Sequence, residues 1–98
     1  NSLGNPLAYS VSKSAITMMS QYLGVHFARK GIRVNTVIPH GVENEHEKTF
    51  VDRFNKLSPS NRMMNKQEIM PAIEMLLDKR NSYMNASEIV VDGGWSFW

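Results

Sequence analysis

The sequence has 98 residues, of which 42% are hydrophobic and 20% are charged. This length suffices for one small globular core and is too short for two ordinary domains, so residues 1–98 are predicted to form a single unit. The net charge of +2 comes from 11 basic and 9 acidic residues, with no basic cluster of the kind that follows a phosphate backbone. The composition therefore argues against nucleic acid as a partner.

Three sequence features constrain the cellular location. No apolar run approaches the roughly 18 residues that a membrane span requires, and no charged-then-apolar leader opens the sequence. The absence of cysteine excludes a disulfide framework and thiolate metal sites. We therefore expect a cytoplasmic chain without membrane contact, and the start at Asn1 rather than methionine indicates a fragment.

A long first helix is predicted over residues 7–30. Asn5 can cap the free amides at its start, and Pro6 suits the first helical position. Gly31 supplies the left-handed residue that commonly ends a helix. The apolar residues of this helix cover more than one face, which predicts burial on two sides. They are Val11, Ala15, Ile16, Met18, Met19, Tyr22, Leu23, Val25 and Phe27.

The rest of the chain is predicted to alternate strands with helices. Residues 32–38 form a short run rich in valine and isoleucine between Gly31 and Pro39, as is typical of a buried strand. A last buried strand is predicted over residues 88–92. Within the polar segment 39–65, apolar residues at helical spacing predict a short amphipathic helix. These residues are Phe50, Val51, Phe54 and Leu57.

Another helix is predicted after Asn65, which forms a capping-box pattern with Glu68. Pro71 lies within it and lacks a backbone donor, so the sequence predicts either a kink or a later helix start. The order helix, strand, helices, strand predicts half of a parallel α/β sheet, because parallel strands need helical crossovers. The open edge of such a half-sheet requires further chain or a partner.

Tyr9 and Lys13 are the first candidates for chemistry. They lie four residues apart on the first helix, so their side chains share one face. An ammonium group beside a phenol stabilises the phenolate, which would let Tyr9 exchange protons with a hydroxyl or carbonyl group. The spacing alone arises easily by chance, and its alternative interpretation is an exposed helix pair.

Three segments place this pair in a wider pattern. Residues 8–15, Ala-Tyr-Ser-Val-Ser-Lys-Ser-Ala, resemble the catalytic helix of short-chain dehydrogenases. Residues 31–35, Gly-Ile-Arg-Val-Asn, followed by Pro39, resemble the next strand and the start of that family's Pro-Gly loop. Residues 91–95, Val-Asp-Gly-Gly-Trp, resemble its C-terminal signature. The resemblance implies the C-terminal part of a doubly wound, parallel-sheet Rossmann-like fold, with the N-terminal nucleotide-binding half absent.

The resemblance also implies an activity. The intact parent would be an oxidoreductase that transfers a hydride between NAD or NADP and an alcohol or carbonyl substrate. Tyr9 would be the general acid/base, and Lys13 would bond the nicotinamide ribose and support Tyr9, so both would also contact the cofactor. The loop implied to approach the nicotinamide consists of Pro39, His40, Gly41 and Val42.

This cofactor loop departs from the family pattern. His40 stands where a glycine is expected, and Asn44 stands where a threonine is common. A histidine side chain hinders close backbone approach and positive φ, and we expect the adjacent Gly41 to compensate. Backbone groups of Val42 are the implied contact to the carboxamide. The family's glycine-rich turn, cofactor-selecting residue, catalytic asparagine and catalytic serine have no match, so residues 1–98 alone are expected to be inactive.

A metal site is the alternative use of the polar segment after Pro39. Imidazole and carboxylate groups suit zinc or manganese, but no helix-fixed pair of histidines is present, and a solvated loop is the favoured interpretation. We therefore predict no metal. The residues concerned are His40, His46, Glu43, Glu45 and Glu47.

Other apolar residues are interpreted as packing groups. His26, between Val25 and Phe27, is expected to be a packed helix residue. The seven methionines are mostly expected on core stripes. The aromatic end of the chain is expected to pack against another subunit or the missing half, with packing inside the chain as the alternative. Its residues are Trp95, Phe97 and Trp98.

The substrate predicted for the intact protein is a small-molecule alcohol or carbonyl compound. Residues 4–9 and 94–98 look like family members encoded with bacterial surface-sugar and flagellin-modification pathways, which implies a sugar-related substrate. The family packs the first helix against a second subunit, which implies a homo-oligomer, either a dimer or a tetramer. The rival hypothesis is a catalytically inert, truncated chain that acts only as a self-association module.

Overall fold

The computed structural model describes residues 7–97, without the side chain of Phe97. The predictions for Asn5, Pro6 and Trp98 lie outside the described residues. Two compact units are present, and the described residues of the first are 7–36 and 82–88. Those of the second are 37–81 and 89–97. Among the helices of this range, none is long and apolar enough to cross a membrane.

The first unit is built on α1, Leu7–Phe27, which continues into a 3₁₀ turn at Ala28–Lys30. Gly31 ends it as predicted, with φ of 76° and its N–H donating to the Ala28 carbonyl at 3.0 Å. In this chain α1 buries only Gly24, so its apolar side chains are largely exposed rather than covered on two sides. His26 is exposed as well, which corrects its assignment as a packed residue.

Side-chain hydrogen bonds join residues 33–35 to residues 84–87 in the first unit. Asn85 accepts from the Val34 N–H at 3.0 Å and donates to the Gly24 carbonyl at 2.9 Å. Asn35 donates to the Met84 carbonyl at 2.9 Å and accepts from the Ser87 N–H at 3.1 Å. These bonds take the place of a regular strand ladder. The first strand therefore starts at residue 36 instead of residue 32, which corrects the sequence prediction.

Two short strands pair, β1 at Thr36–Pro39 and β2 at Glu88–Val91. The Thr36 N–H donates to Ser87 at 2.9 Å and the His40 N–H donates to Val91 at 3.2 Å. The separation along the chain is the same for both pairs, so the strands run parallel. Both were predicted to be buried, but β2 alternates exposed and half-buried residues and β1 is only half-buried. Each strand therefore has surface that this chain does not cover.

The second unit contains α2, Lys48–Leu57, as the apolar spacing predicted. Phe54 and Met63 are its buried apolar residues. Several other methionines are exposed, among them Met70 and Met75, so the expectation that most methionines lie in the core was wrong. The exposed ones lie on helix faces that this chain leaves uncovered.

The capping box at Asn65 is confirmed, and it starts a 3₁₀ turn at Lys66–Ile69. The α-helix itself, α3, spans Met70–Leu77. Pro71 thus lies in the first turn of α3, where a backbone N–H has no helical acceptor in any case. Of the two alternatives open for Pro71, the later helix start is the one found.

Candidate active site

The predicted catalytic pair lies on α1 in the first unit. Lys13 Nζ is 5.5 Å from the centroid of the Tyr9 ring. Tyr9 is about half exposed, at 51%. The four-residue spacing on one helix sets this distance, because residues one turn apart are neighbours on the helix surface. The pair therefore presents a phenol with a nearby cation to a molecule arriving at this face.

The predicted cofactor loop follows β1 in the second unit. Gly41 has φ of 69°, and a Cβ at this position would lie 2.2 Å from Cζ of the Phe54 ring. Both the positive φ and the close ring require glycine here. The left-handed backbone conformation therefore lies at Gly41, next to His40, and compensation of His40 by Gly41 in cofactor binding stays a prediction.

Val42 is held by a parallel bridge to Met64. The Met64 N–H donates to the Gly41 carbonyl at 2.7 Å, and the Glu43 N–H donates to the Met64 carbonyl at 2.8 Å. The bridge thus uses the peptide groups flanking Val42, and the N–H of Val42 itself faces the other side of the strand. This N–H makes no hydrogen bond to another of the described residues. The Val42 carbonyl lies 3.4 Å from Nε2 of His46.

The rings of Phe54 and Trp95 pack against the His40 ring of this loop, and we call His40, Phe54 and Trp95 the aromatic clamp. The ring centroids of His40 and Trp95 are 4.7 Å apart. Trp95 and Phe54 stack with centroids 4.9 Å apart and an interplanar angle of 11°. Trp95 therefore packs within the chain, which corrects the preference for another subunit or the missing half. Residues 40, 54 and 95 share no sequence motif, so sequence analysis missed the cluster.

His40 is half-buried against the rings of Phe54 and Trp95. Its Nε2 atom is buried and has no hydrogen-bond partner among the described residues. Burial lowers the pKa of His40 below its ordinary value, and the nearby Asp92 carboxylate opposes this shift. The imidazole is therefore neutral at pH 7.

Protonation of His40 at acid pH should lower the free energy of unfolding. Because the folded pKa of His40 is lowered, the unfolded chain binds this proton more readily than the folded chain. The stabilisation is complete above the ordinary pKa of about 6.5 and is lost as the pH falls through it. We expect His40→Phe, which keeps a ring but cannot titrate, to lose less unfolding free energy than wild type between about pH 7 and pH 5. Chemical denaturation at both pH values measures this difference, and equal losses would contradict it.

A small cleft of about 150 Å³ opens beside the clamp. Its polar wall includes Ser58, Ser60 and Arg62. Arg62 pairs with both carboxylate oxygens of Glu68, at 2.6 and 2.8 Å. These bonds and the Asn65 N–H lower the pKa of Glu68 to about 2. Arg62 is thus paired with Glu68, and the Asp92 carboxylate, which also lines the cleft, leaves its wall with one excess negative charge.

The polar segment after Gly41 shows no metal geometry. His46 lies against the Phe50 ring, with centroids 4.8 Å apart, while His40 belongs to the aromatic clamp. Across residues 7–97, no group of three or more His, Cys, Asp or Glu side chains is placed to hold a metal ion.

The structure thus brings the predicted residues together in two groups. Tyr9 and Lys13 form one group in the first unit, and residues 39–42 form the other in the second unit.

Comparison with known proteins identifies the family. The family profile described as "Enoyl-(Acyl carrier protein) reductase" matches residues 1–96. A short-chain dehydrogenase from Leptospira borgpetersenii with bound NAD⁺ has a similar structure, with a TM-score of 0.88 and 26% identity. The match covers 95% of this chain and 37% of that one. The chain therefore belongs to this reductase family among the short-chain dehydrogenases/reductases, and its parallel α/β fold is that of their Rossmann-like structures.

Relatives found by sequence comparison include proteins of the same class. An uncharacterized short-chain type dehydrogenase/reductase of Sinorhizobium fredii is 35% identical over 95% of this chain and 19% of its own length. The post-translational flagellin modification protein A of Campylobacter coli is 28% identical over 91% of this chain and 35% of its own length. The chain thus spans about a fifth to two fifths of the proteins it matches.

Proposed function

We propose that residues 1–98 correspond to the C-terminal portion of a single Rossmann-fold domain in an NAD(P)-dependent oxidoreductase. The enzyme transfers a hydride between the nicotinamide and an alcohol or carbonyl group. The observation that carries the proposal is the ammonium group of Lys13, 5.5 Å from the Tyr9 ring on an exposed helix face. Family membership supports the proposal, because several relatives are named as dehydrogenases or reductases.

Tyr9 is the proposed general acid/base. In the reducing direction its hydroxyl donates a proton to the substrate oxygen as the carbonyl carbon accepts the hydride. In the oxidising direction the phenolate takes the proton of the alcohol. Lys13 would place its positive charge beside the Tyr9 ring and would donate a hydrogen bond to the nicotinamide ribose. These roles for Tyr9 and Lys13 follow from the family resemblance and suit the geometry of the pair.

The proposed cofactor loop is Pro39, His40, Gly41 and Val42. The Val42 N–H lies outside the bridge to Met64, and this suits it to bond a carboxamide oxygen. The cofactor supplies or accepts the hydride when bound. NAD⁺ in the Leptospira relative supports a nicotinamide cofactor here, and the choice between NAD and NADP is left to experiment.

The proposed substrate is a small alcohol or carbonyl compound of sugar-related chemistry. The flagellin modification protein of Campylobacter coli supports this class by its name. The reaction is proposed to take place in the cytoplasm. An assay of the full-length protein with NADH or NADPH and a panel of ketones, some derived from sugars and some unrelated to them, tests the class. Oxidation of either cofactor that depends on a ketone supports it, whereas turnover confined to ketones unrelated to sugars would contradict the sugar assignment.

A homo-oligomer, either a dimer or a tetramer, is the proposed assembly. Five apolar residues of α1 lie within roughly 60° of the helix circumference, given about 3.6 residues per turn. Their side chains are between 59% and 80% exposed. Tyr9 and Lys13 lie on the opposite side of α1, so association through this stripe would leave both side chains accessible to cofactor and substrate. The stripe consists of Leu7, Val11, Met18, Tyr22 and Val25.

We expect residues 1–98 to associate in solution. Apolar burial contributes about 25 cal/mol per Å², so roughly 300 Å² of paired surface offers roughly 7 kcal/mol before association costs. Light scattering at micromolar protein concentration measures the mass. Dimers or larger species are expected, and Val11→Lys with Tyr22→Lys should shift the mass toward the monomer. A monodisperse 11.2 kDa species for the unaltered chain would contradict the assembly.

A second candidate function is an inert module that only self-associates. The exposed stripe on α1 favours it for residues 1–98 taken alone. Pyrophosphate binding in such folds rests on a glycine turn and a helix N-terminus, and this sequence has no match to that turn. We therefore expect residues 1–98 alone to bind neither NAD nor NADP. Cofactor binding by the full-length protein distinguishes the enzyme from the module.

A further inference from the structure

The loop at residues 40–41 is packed on one side by the rings of Phe54 and Trp95. The Trp95 ring lies 4.7 Å from the His40 ring and stacks on Phe54 at 4.9 Å. The Phe54 ring in turn lies so close to Gly41 that a Cβ there would be 2.2 Å from its Cζ atom. Trp95 thus supports the loop twice, directly through His40 and indirectly through Phe54 and Gly41.

The turn that carries Trp95 is itself well fixed. The Asp92 carboxylate accepts hydrogen bonds from the N–H groups of Gly94 and Ser96, both at 2.9 Å, and from the Ser96 hydroxyl. The Trp95 N–H donates to the Asp92 carbonyl at 3.1 Å. The residue before Asp92, Val91, accepts from the His40 N–H. The turn and the loop are therefore anchored at the same strand end.

We propose that Trp95 is a positioning residue for the cofactor loop. Its ring, acting through His40 and Phe54, holds the loop so that the Val42 N–H is presented in one orientation. A glycine at position 40 would offer no ring for this contact, so the arrangement depends on the histidine that this chain has there. The inference rests on the proposed function, because it assumes that the loop binds nicotinamide.

Loss of the Trp95 ring should weaken cofactor binding without slowing the chemical step. A loop that samples several conformations binds with an affinity reduced by the fraction of competent molecules. We expect Trp95→Leu to raise the dissociation constants of NADH and NADPH by about tenfold. The kcat at saturating cofactor should be unchanged, because binding selects the competent conformation. Trp95→Phe keeps an aromatic ring in the stack and should restore most of the affinity.

The experiment is a calorimetric titration of the full-length protein, with thermal unfolding of each variant measured in parallel. Tyr83→Ala is the matched control, since it removes an aromatic ring that is 99% exposed. A purely structural role for Trp95 would lower the unfolding midpoint and leave the dissociation constant of the folded fraction unchanged. The proposal predicts a larger dissociation constant for Trp95→Leu and an unchanged one for Tyr83→Ala.

Unchanged cofactor affinity in Trp95→Leu would overturn the inference while the proposed function stands. Should Trp95→Leu fail to fold, His40→Ala removes the contact from the loop side, and unchanged affinity there would overturn it equally. Failure of the wild-type protein to bind either cofactor would instead refute the proposed function, and the inference with it.

Discussion

Tyr9→Phe in the full-length protein is expected to lower kcat by about a hundredfold to ten-thousandfold, the usual contribution of a general acid/base. The substitution removes only the transferable proton and keeps the ring beside Lys13. Cofactor affinity should therefore be nearly unchanged. Steady-state kinetics at the pH optimum of each protein, with a cofactor titration, measures both quantities.

Two comparisons make this test specific. Tyr22→Phe removes a hydroxyl from the opposite side of the same helix, and it should leave kcat unchanged. A Tyr9→Phe protein that keeps most of its kcat would refute the assignment of Tyr9. A Tyr9→Phe protein that loses cofactor binding to the same degree as turnover would point to a structural role instead.

Gly41→Ala is expected to destabilise the fold by about 2–5 kcal/mol. A non-glycine residue in the left-handed region costs about 1–2 kcal/mol, and overpacking of a filled site adds about 1–3 kcal/mol. At Gly41, φ is 69° and a Cβ would lie 2.2 Å from the Phe54 ring. Phe54 is only 4% exposed, so its ring has little room to move. Chemical denaturation gives the unfolding free energy.

Gly31→Ala is the matched control for this substitution. Gly31 has a similar φ of 76°, but a Cβ there would meet no atom within 4 Å. Gly31→Ala should therefore lower the free energy of unfolding by only about 1–2 kcal/mol, the conformational cost alone. Phe54→Leu should relieve part of the steric clash, so the double variant should lose less than the sum of the two single losses. Equal losses at positions 31 and 41 would contradict the proposed ring contact.

The elements that the sequence predicted well depend on local signals. Gly31 ends α1 because a left-handed residue is needed there whatever surrounds it. The capping box at Asn65 and Glu68 needs only four consecutive residues. Pro71 fits the first turn of α3 for the same local reason.

The features that the sequence did not predict depend on residues far apart in the chain. The strand begins at Thr36 because the Asn85 side chain, from a distant segment, bonds the Val34 N–H. The aromatic clamp joins positions 40, 54 and 95, and no periodicity relates them. For the site, the sequence suggested Tyr9 and Lys13 by resemblance, and their proximity on α1 is consistent with that role.

The claim that this chain contributes to a nicotinamide-dependent enzyme is tested most directly by calorimetric titration of the full-length protein with NADH and NADPH. The wild-type protein is predicted to bind at least one of them. Lys13→Ala should bind that cofactor about tenfold or more weakly, since one charge-assisted bond to the ribose is worth about 1.5–3 kcal/mol. Binding of neither cofactor by the wild-type protein, or equal affinity in Lys13→Ala, would contradict the account.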